Sequence, residues 1–304
     1  AVLGSPNALG IFLAIAWLCL LCLREKDRRP LLFLEPILLS CLALTLSGGS
    51  LLSLACGLGV VFYREKKTCS WRELGSFVAH LLARMVIAFF LGIMFYIAAN
   101  RTIIPWFCFV LVGLVVLVSV MWPQIMRLLA DCRWLTYAVV LLCGLVFVMA
   151  LFSFRQSALS TFIERIWMME NGIGYLLYYP LIGLGYEQWP LYNLQDADMY
   201  FNVAQIHNTV IHVGVEFGLL AMAAMVYLIA HRFWKGGDNT PGALAFVVHS
   251  MLDNPLFTRM ALFGLLVCTT PRRKGVRLDK LEARVILFVF LAVLIYCLVR
   301  LLMG

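Results

Sequence analysis

His207 and Asn208 stand at the head of an apolar run, and His212 and Glu216 follow Asn208 at four-residue steps. On a helix this spacing aligns Asn208, His212 and Glu216 along one face. Ionisable groups inside an apolar helix are costly, so they face a bundle interior or a water-filled cavity. His207, at the mouth of that stripe, is a candidate general base, because an imidazole exchanges its proton near neutral pH. The same position also suits a histidine hydrogen-bonded at a membrane interface. Arg165 is the second candidate. A planar guanidinium grips phosphate or diphosphate through paired charge-assisted hydrogen bonds, or else pairs with Glu164 or Glu170 nearby. Gly183-Leu184-Gly185 lacks the strand and third glycine of a dinucleotide-binding turn. Cys19 and Cys22 form a lone CxxC inside an apolar run, which reads as packing. His207 and His212 diverge around a helix and His249 is remote in the chain, so no metal site is expected.

These groups need elements to hold them, and composition fixes their kind. Of 304 residues, 63% are hydrophobic and 13% charged, with a mean hydropathy of +0.94. A soluble domain is roughly 45–50% apolar and about 25% charged. A soluble enzyme, a disordered chain and a nucleic-acid binder are thereby excluded. The apolar runs are continuous rather than alternating, which argues against a transmembrane β-barrel. At about 20 residues per crossing, the chain has room for about ten helices. The expected architecture is all-α, a polytopic transmembrane bundle forming one integral-membrane domain over 1–304. Spans are predicted at 8–23, 31–46, 51–63, 74–98, 103–122, 135–153, 206–230, 242–252 with 256–270, and 285–303.

The net charge of +8 then becomes a topology signal, because cytoplasmic loops collect Lys and Arg. The connections at 24–29, 64–73, 127–133, 232–235 and 271–284 hold 18 of the 24 basic residues. Placing them all on the cytoplasmic side makes Ser47–Ser50 an outer turn. It also makes 242–270 a short-armed hairpin with an outward tip near Asp253–Pro255. The segment 154–206 becomes one long extracytoplasmic loop. It is net negative and rich in tyrosine, with Tyr175, Tyr178, Tyr179, Tyr186, Tyr192 and Tyr200. Such rings form an interfacial belt, or stack on sugars. Arg84 lies near the middle of the 74–98 span, where it must meet an acid, an amide or a substrate phosphate.

Several stretches together resemble the O-antigen ligase and O-antigen polymerase superfamily, over nearly the whole chain. Arg165 followed by Trp167, then Pro180-Leu181-Ile182-Gly183-Leu184-Gly185, then His207-Asn208 with Gly218 after nine residues, carry the likeness. The ligase pattern ends on Gly, Thr or Tyr, where this chain has Ala221. Ser5-Pro6-Asn7-Ala8-Leu9-Gly10 is similar to the opening of a mid-chain helix in that family. His249-Ser250-Met251-Leu252-Asp253-Asn254-Pro255-Leu256 is similar to a motif of the related protein O-oligosaccharyltransferases. Family members have about twelve helices, so further helices are expected before Ala1. Many members carry Ser-Arg-Gly at the outer turn where this chain has Ser47-Gly48-Gly49. Arg155, through Arg-x-x-x-Leu159, or Arg84 can stand in for that missing cation.

The resemblance implies a metal-independent, cofactor-free inverting glycosyltransferase in a bacterial cytoplasmic membrane, its site facing outward. The donor is a polyprenyl-diphosphate-linked glycan. The acceptor is a glycan, a lipid or a protein, within membrane lipid and without nucleic acid. His207 is the base, and Arg165 with Arg155 binds the diphosphate. Asn208, Glu216, Asp253 and His249 orient the base or the sugar. The alternative is a transporter or flippase for an anionic lipid or solute, which intramembrane charge also fits.

Overall fold

A computed structural model of the chain describes residues 5–23, 25–101, 106–154, 158–196, 201–235, 237, 239–255 and 264. Among these, all regular structure is helical. In chain order the helices are α1 (Pro6–Leu21), α2 (Glu25–Arg28), α3 (Leu34–Leu44), α4 (Gly48–Lys66), α5 (Trp71–Arg101), α6 (Trp106–Asp131), α7 (Arg133–Phe154), α8 (Ala158–Tyr178), α9 (Trp189–Gln195), α10 (Thr209–Lys235) and α11 (Thr240–Ser250). Among the described residues three stretches are long and apolar enough to cross a membrane: Trp71–Ala98, Val110–Asp131 and Thr209–Phe233. The chain thus reads as a membrane protein. The predicted span 256–270, apart from Gly264, the span 285–303, Arg155 and Tyr200 lie outside the described residues.

Local chemistry sets the helix ends that matter for the site. The Ser5 hydroxyl accepts from the Ala8 N–H, and Pro6 occupies the first turn of α1, where it costs no hydrogen bond. The Ser47 hydroxyl caps α4 by accepting from the Ser50 N–H at 3.3 Å. Pro123 sits inside α6, which runs nine residues past the predicted end of that span. Membrane helices tolerate such a proline because neighbouring groups re-satisfy the freed backbone.

Two cores result. The larger joins α1, α3, α4, α5 and α11 around Ile11, Trp17, Leu39, Leu54, Leu81 and Phe246. Gly57 lets α4 close onto α1 and α11, for a Cβ there would lie 2.5 Å from Leu18 Cδ1 and 2.9 Å from the Pro241 carbonyl oxygen. Small residues at helix contacts serve this purpose where no hydrophobic drive exists between helices in lipid. The smaller core joins α8, α9 and α10 around Met168, Leu176, Trp189, Ile206 and Val215.

The smaller core changes the expectation for 154–206. Rather than a loop, it carries the 21-residue α8 and the short α9. Glu164, Arg165, Glu170 and Asn171 interrupt the apolar run, which hides a helix from a search for spans. Yet Met168, Gly172 and Leu176 are buried at four-residue steps, one face of a helix packed on α10. The tyrosines mostly knit this unit together. Tyr175 meets Trp189 and Tyr192 edge to face at 6.0 and 5.8 Å, and Tyr179 meets Tyr192 at 6.3 Å.

The candidate active site at the seam of the two cores

The two cores meet where 206–209 lies against 251–254. Asn254 Nδ2 donates to the Ile206 carbonyl, and the Thr209 hydroxyl donates to the Asp253 carbonyl at 3.1 Å. Asn208 caps α10. Its Oδ1 accepts from the Val210 and Ile211 N–H groups at 3.1 Å, and its Nδ2 donates to the Met251 carbonyl at 3.3 Å. Asn208 is therefore a cap that ties α10 to the end of α11, not the first member of a helical stripe. Asn before an apolar run is itself a start signal in the sequence.

His207 occupies this seam with its side chain 29% exposed. Its Nδ1 lies 2.9 Å from Asp253 Oδ1. The same carboxylate accepts from the Asn254 N–H at 2.8 Å and from Asn7 Nδ2 through its other oxygen. Burial alone would raise the Asp253 carboxyl, but the His207 contact and the Asn254 N–H together hold it down to about 2. Asp253 thus stays ionised at any physiological pH and can only accept. The Nδ1 of neutral His207 must then carry the ring proton, which leaves the Nε2 lone pair available. Among the described residues Nε2 makes no hydrogen bond.

Arg165 belongs to the same seam. It lies three residues before Met168 on the packed face of α8, and its Nη1 donates to the Leu252 carbonyl at 2.8 Å. Its Nε is buried without a hydrogen bond. Neither Glu164 nor Glu170 forms an ion pair with it. Arg165 lines a cavity of about 530 Å³ together with Asn7, Ser47, Gly48, Gly49, Thr161 and Leu252. Gly48 therefore faces the same space as Arg165. His249 is 1% exposed and packs against Gly49, where a Cβ would sit 3.3 Å from its Cε1.

Two sequence candidates stand apart. Arg84 is buried in a second polar cluster inside the larger core. Its Nη1 lies 3.5 Å from Glu35 Oε2 and donates to Met126 Sδ at 3.8 Å. The indoles of Trp17 and Trp122 donate to the two oxygens of Glu35 at 3.2 and 3.0 Å. None of these groups touches His207 or Arg165, so the substitute-cation role for Arg84 has no contact behind it. Glu216 opens onto a different cavity from Arg165. Its helix breaks two residues later, at Gly218, with φ 85° and ψ 175°.

The break gives the Pro180–Gly185 motif a physical role. Leu219 N–H donates to the Pro180 carbonyl at 2.8 Å. The Leu184 and Gly185 N–H groups donate to the carbonyls of Val215 and Glu216 at 2.8 and 3.0 Å. Three backbone groups at the break are thus taken up by the 180–185 segment, as a low-dielectric setting demands. Gly183 and Gly185 have φ of 68° and 105°. At Gly183 an added Cβ would lie 2.5 Å from the Glu216 backbone, and at Gly218 one would lie 2.1 Å from the Leu181 carbonyl oxygen. Sequence reasoning missed Glu35 and Asn7. An acid in one apolar run and an arginine in another was the signal for Glu35. Nothing local marked Asn7 as a partner of Asp253.

Comparison with protein-family models, characterised proteins and solved structures finds no match.

Proposed function

We propose that the chain is a polytopic membrane glycosyltransferase of the O-antigen ligase or polymerase type, using a polyprenyl-diphosphate-linked glycan. The observation that carries this reading is the His207–Asp253 pair, partly exposed and adjoining the Arg165 cavity through Asn7. An acceptor hydroxyl gives its proton to His207 Nε2 while its oxygen attacks the anomeric carbon. The bond from that carbon to the diphosphate oxygen breaks, the configuration inverts, and the lipid diphosphate departs. Asp253 fixes the tautomer and steadies the imidazolium that forms, as a carboxylate does for other catalytic histidines. Arg165 meets the charge that develops on the leaving diphosphate. Diphosphate leaves readily, so base, position and counter-charge are what the protein must supply. On this reading the seam faces the extracytoplasmic side of a bacterial inner membrane.

The broken α10 is the feature that favours a transporter, since discontinuous helices bind ions through unwound backbone. Here the carbonyls of Val215 and Glu216 are already occupied by Leu184 and Gly185, which supports the enzyme. Incubating the reconstituted protein with purified lipid-linked glycan and acceptor separates the two. Free polyprenyl diphosphate and a transferred glycan are expected. Donor that crosses the bilayer intact would establish transport.

A further inference from the structure

A second cavity, of about 250 Å³, shares no lining residue with the one at Arg165. His212 and Glu216, each 2% exposed, form its deepest part; Tyr186 and Glu187 are exposed, and Gln205 is half-buried in its wall. At about 30 Å³ per water it holds about eight waters, the space of one sugar ring rather than a chain of them. Its polar groups are two carboxylates, an amide, an imidazole and a phenol. All exchange hydrogen bonds with hydroxyls. No Lys or Arg lines it, so an anion has no counter-charge there. Among the described residues no three His, Cys, Asp or Glu side chains converge as metal ligands. The Glu216 carboxylate accepts from the Glu187 N–H and lies 3.7 Å from His212 Nε2, too far for a hydrogen bond there, so part of its acceptor capacity is left for a ligand. Glu187 holds φ 57° at the rim, a conformation that non-glycine residues seldom adopt.

The cavity is tied to the seam by a short piece of chain. Gln205 precedes His207 by two residues, and the His212 N–H donates to the Asn208 carbonyl at 2.9 Å. We propose that this cavity is the acceptor subsite, binding a neutral sugar ring through neighbouring hydroxyls, its wall residue Gln205 lying two positions before His207 in the chain. The acceptor class is then a saccharide, free or on a lipid, rather than a protein side chain. Naming it an acceptor rests on the transferase reading; the binding of a sugar does not.

The test is ligand-observed saturation-transfer NMR on the protein in lipid nanodiscs, free of glucoside detergent, with methyl β-glucoside, methyl β-galactoside and methyl N-acetyl-β-glucosaminide as probes. Binding in the millimolar range is expected for at least one probe. About tenfold weaker binding is expected in Glu216→Gln and in Gln205→Ala, and no change in Arg165→Ala, whose cavity is separate. Gln205 is partly exposed, so its variant reports even if Glu216→Gln misfolds. Absence of saturation transfer to every probe would overturn the proposal, as would equal binding in wild type and Gln205→Ala. Displacement of the sugar by spermidine or calcium would make it a cation site instead. Sugar binding without release of lipid diphosphate would leave the subsite standing and remove the transferase reading. Release without sugar binding would do the reverse.

Discussion

Glu35 and Asp253 are both carboxylates largely withdrawn from solvent, and the protein treats them oppositely. Glu35 is closed on every side. Two indoles and a guanidinium reach it, all from apolar helices, and it is 2% exposed. Asp253 sits at the end of a short helix between two cores. One of its partners, His207, is itself open on its far nitrogen. A closed cluster holds charge in one arrangement and has nothing left to offer a ligand. The seam cluster is hydrogen-bonded on one side and left open on the other. Buried charge in a membrane helix is thus not by itself a mark of function. What separates the two is whether a polarised group is left partly exposed with a nitrogen to spare.

The largest expected effect breaks the closed cluster. Glu35→Ala leaves Arg84 buried without its carboxylate, and losing one partner of a buried pair costs about 3–5 kcal/mol. Thermal unfolding of the reconstituted protein is expected to show that loss, with Glu35→Gln milder because it fills the same space and one of the two indoles keeps an acceptor. An unchanged melting temperature in Glu35→Ala would show that water reaches Arg84.

At the seam the effect should appear in rate instead. Asp253→Asn keeps the shape but not the anion that sets the His207 tautomer. Glycan transfer is expected to fall about 10²-fold, a loss of about 2.7 kcal/mol at 1.36 kcal/mol per decade. Stability adds a sign test. The folded carboxyl lies at about 2 against an ordinary value of 3.8. Its contribution is therefore complete above about pH 4 and is lost as pH falls from there toward 2. Wild type should lose melting temperature across that window more steeply than Asp253→Asn. Parallel acid limbs would contradict the pairing.

Most of the helical fold was legible because its signal is crude. Continuous apolar runs place α1, α3, α4, α5, α7, α10 and α11 within a few residues of their predicted positions. What failed was local. α8 was missed because Glu164, Arg165, Glu170 and Asn171 break its hydropathy, although its apolar face keeps helical spacing. Asn208 carries the spacing of the His212–Glu216 stripe, and spacing alone does not distinguish a cap from a first turn. Residue types picked out His207 and Arg165, but not their partners. Asn7 and Asp253 are 246 positions apart in the chain, and only packing of α1 against α4 and α11 joins them. The glycines at 183 and 185 looked unremarkable until the helix break at Gly218 gave their N–H groups something to do.

That break supplies the next prediction. Gly218→Ala forces a side chain against the Leu181 carbonyl at a positive φ. A cost of about 2 kcal/mol is expected, concentrated in the smaller core, with hydrogen exchange rising in 180–185 and 215–219 before it rises in α1 or α4. Uniform exchange over both cores would show that they unfold as one unit.

The smallest expected effect sharpens the cavity side of the comparison. Arg165→Lys keeps the charge and loses the fork. Donor affinity is expected to weaken about tenfold, near 1.4 kcal/mol, and further in Arg165→Ala, while melting temperature holds. Equal donor affinity in all three proteins would make Arg165 only a tether to the Leu252 carbonyl.

The central claim is that His207 acts as a base at an otherwise fixed seam. Its most direct test is the rate of polyprenyl-diphosphate release, measured on wild type, His207→Ala and His207→Gln in the same lipid, with a melting curve for each. A drop of about 10²–10⁴ in both variants is predicted, since that is what a lost general base removes, with α5 and α10 still folded. Wild-type release by a folded His207→Ala would contradict it.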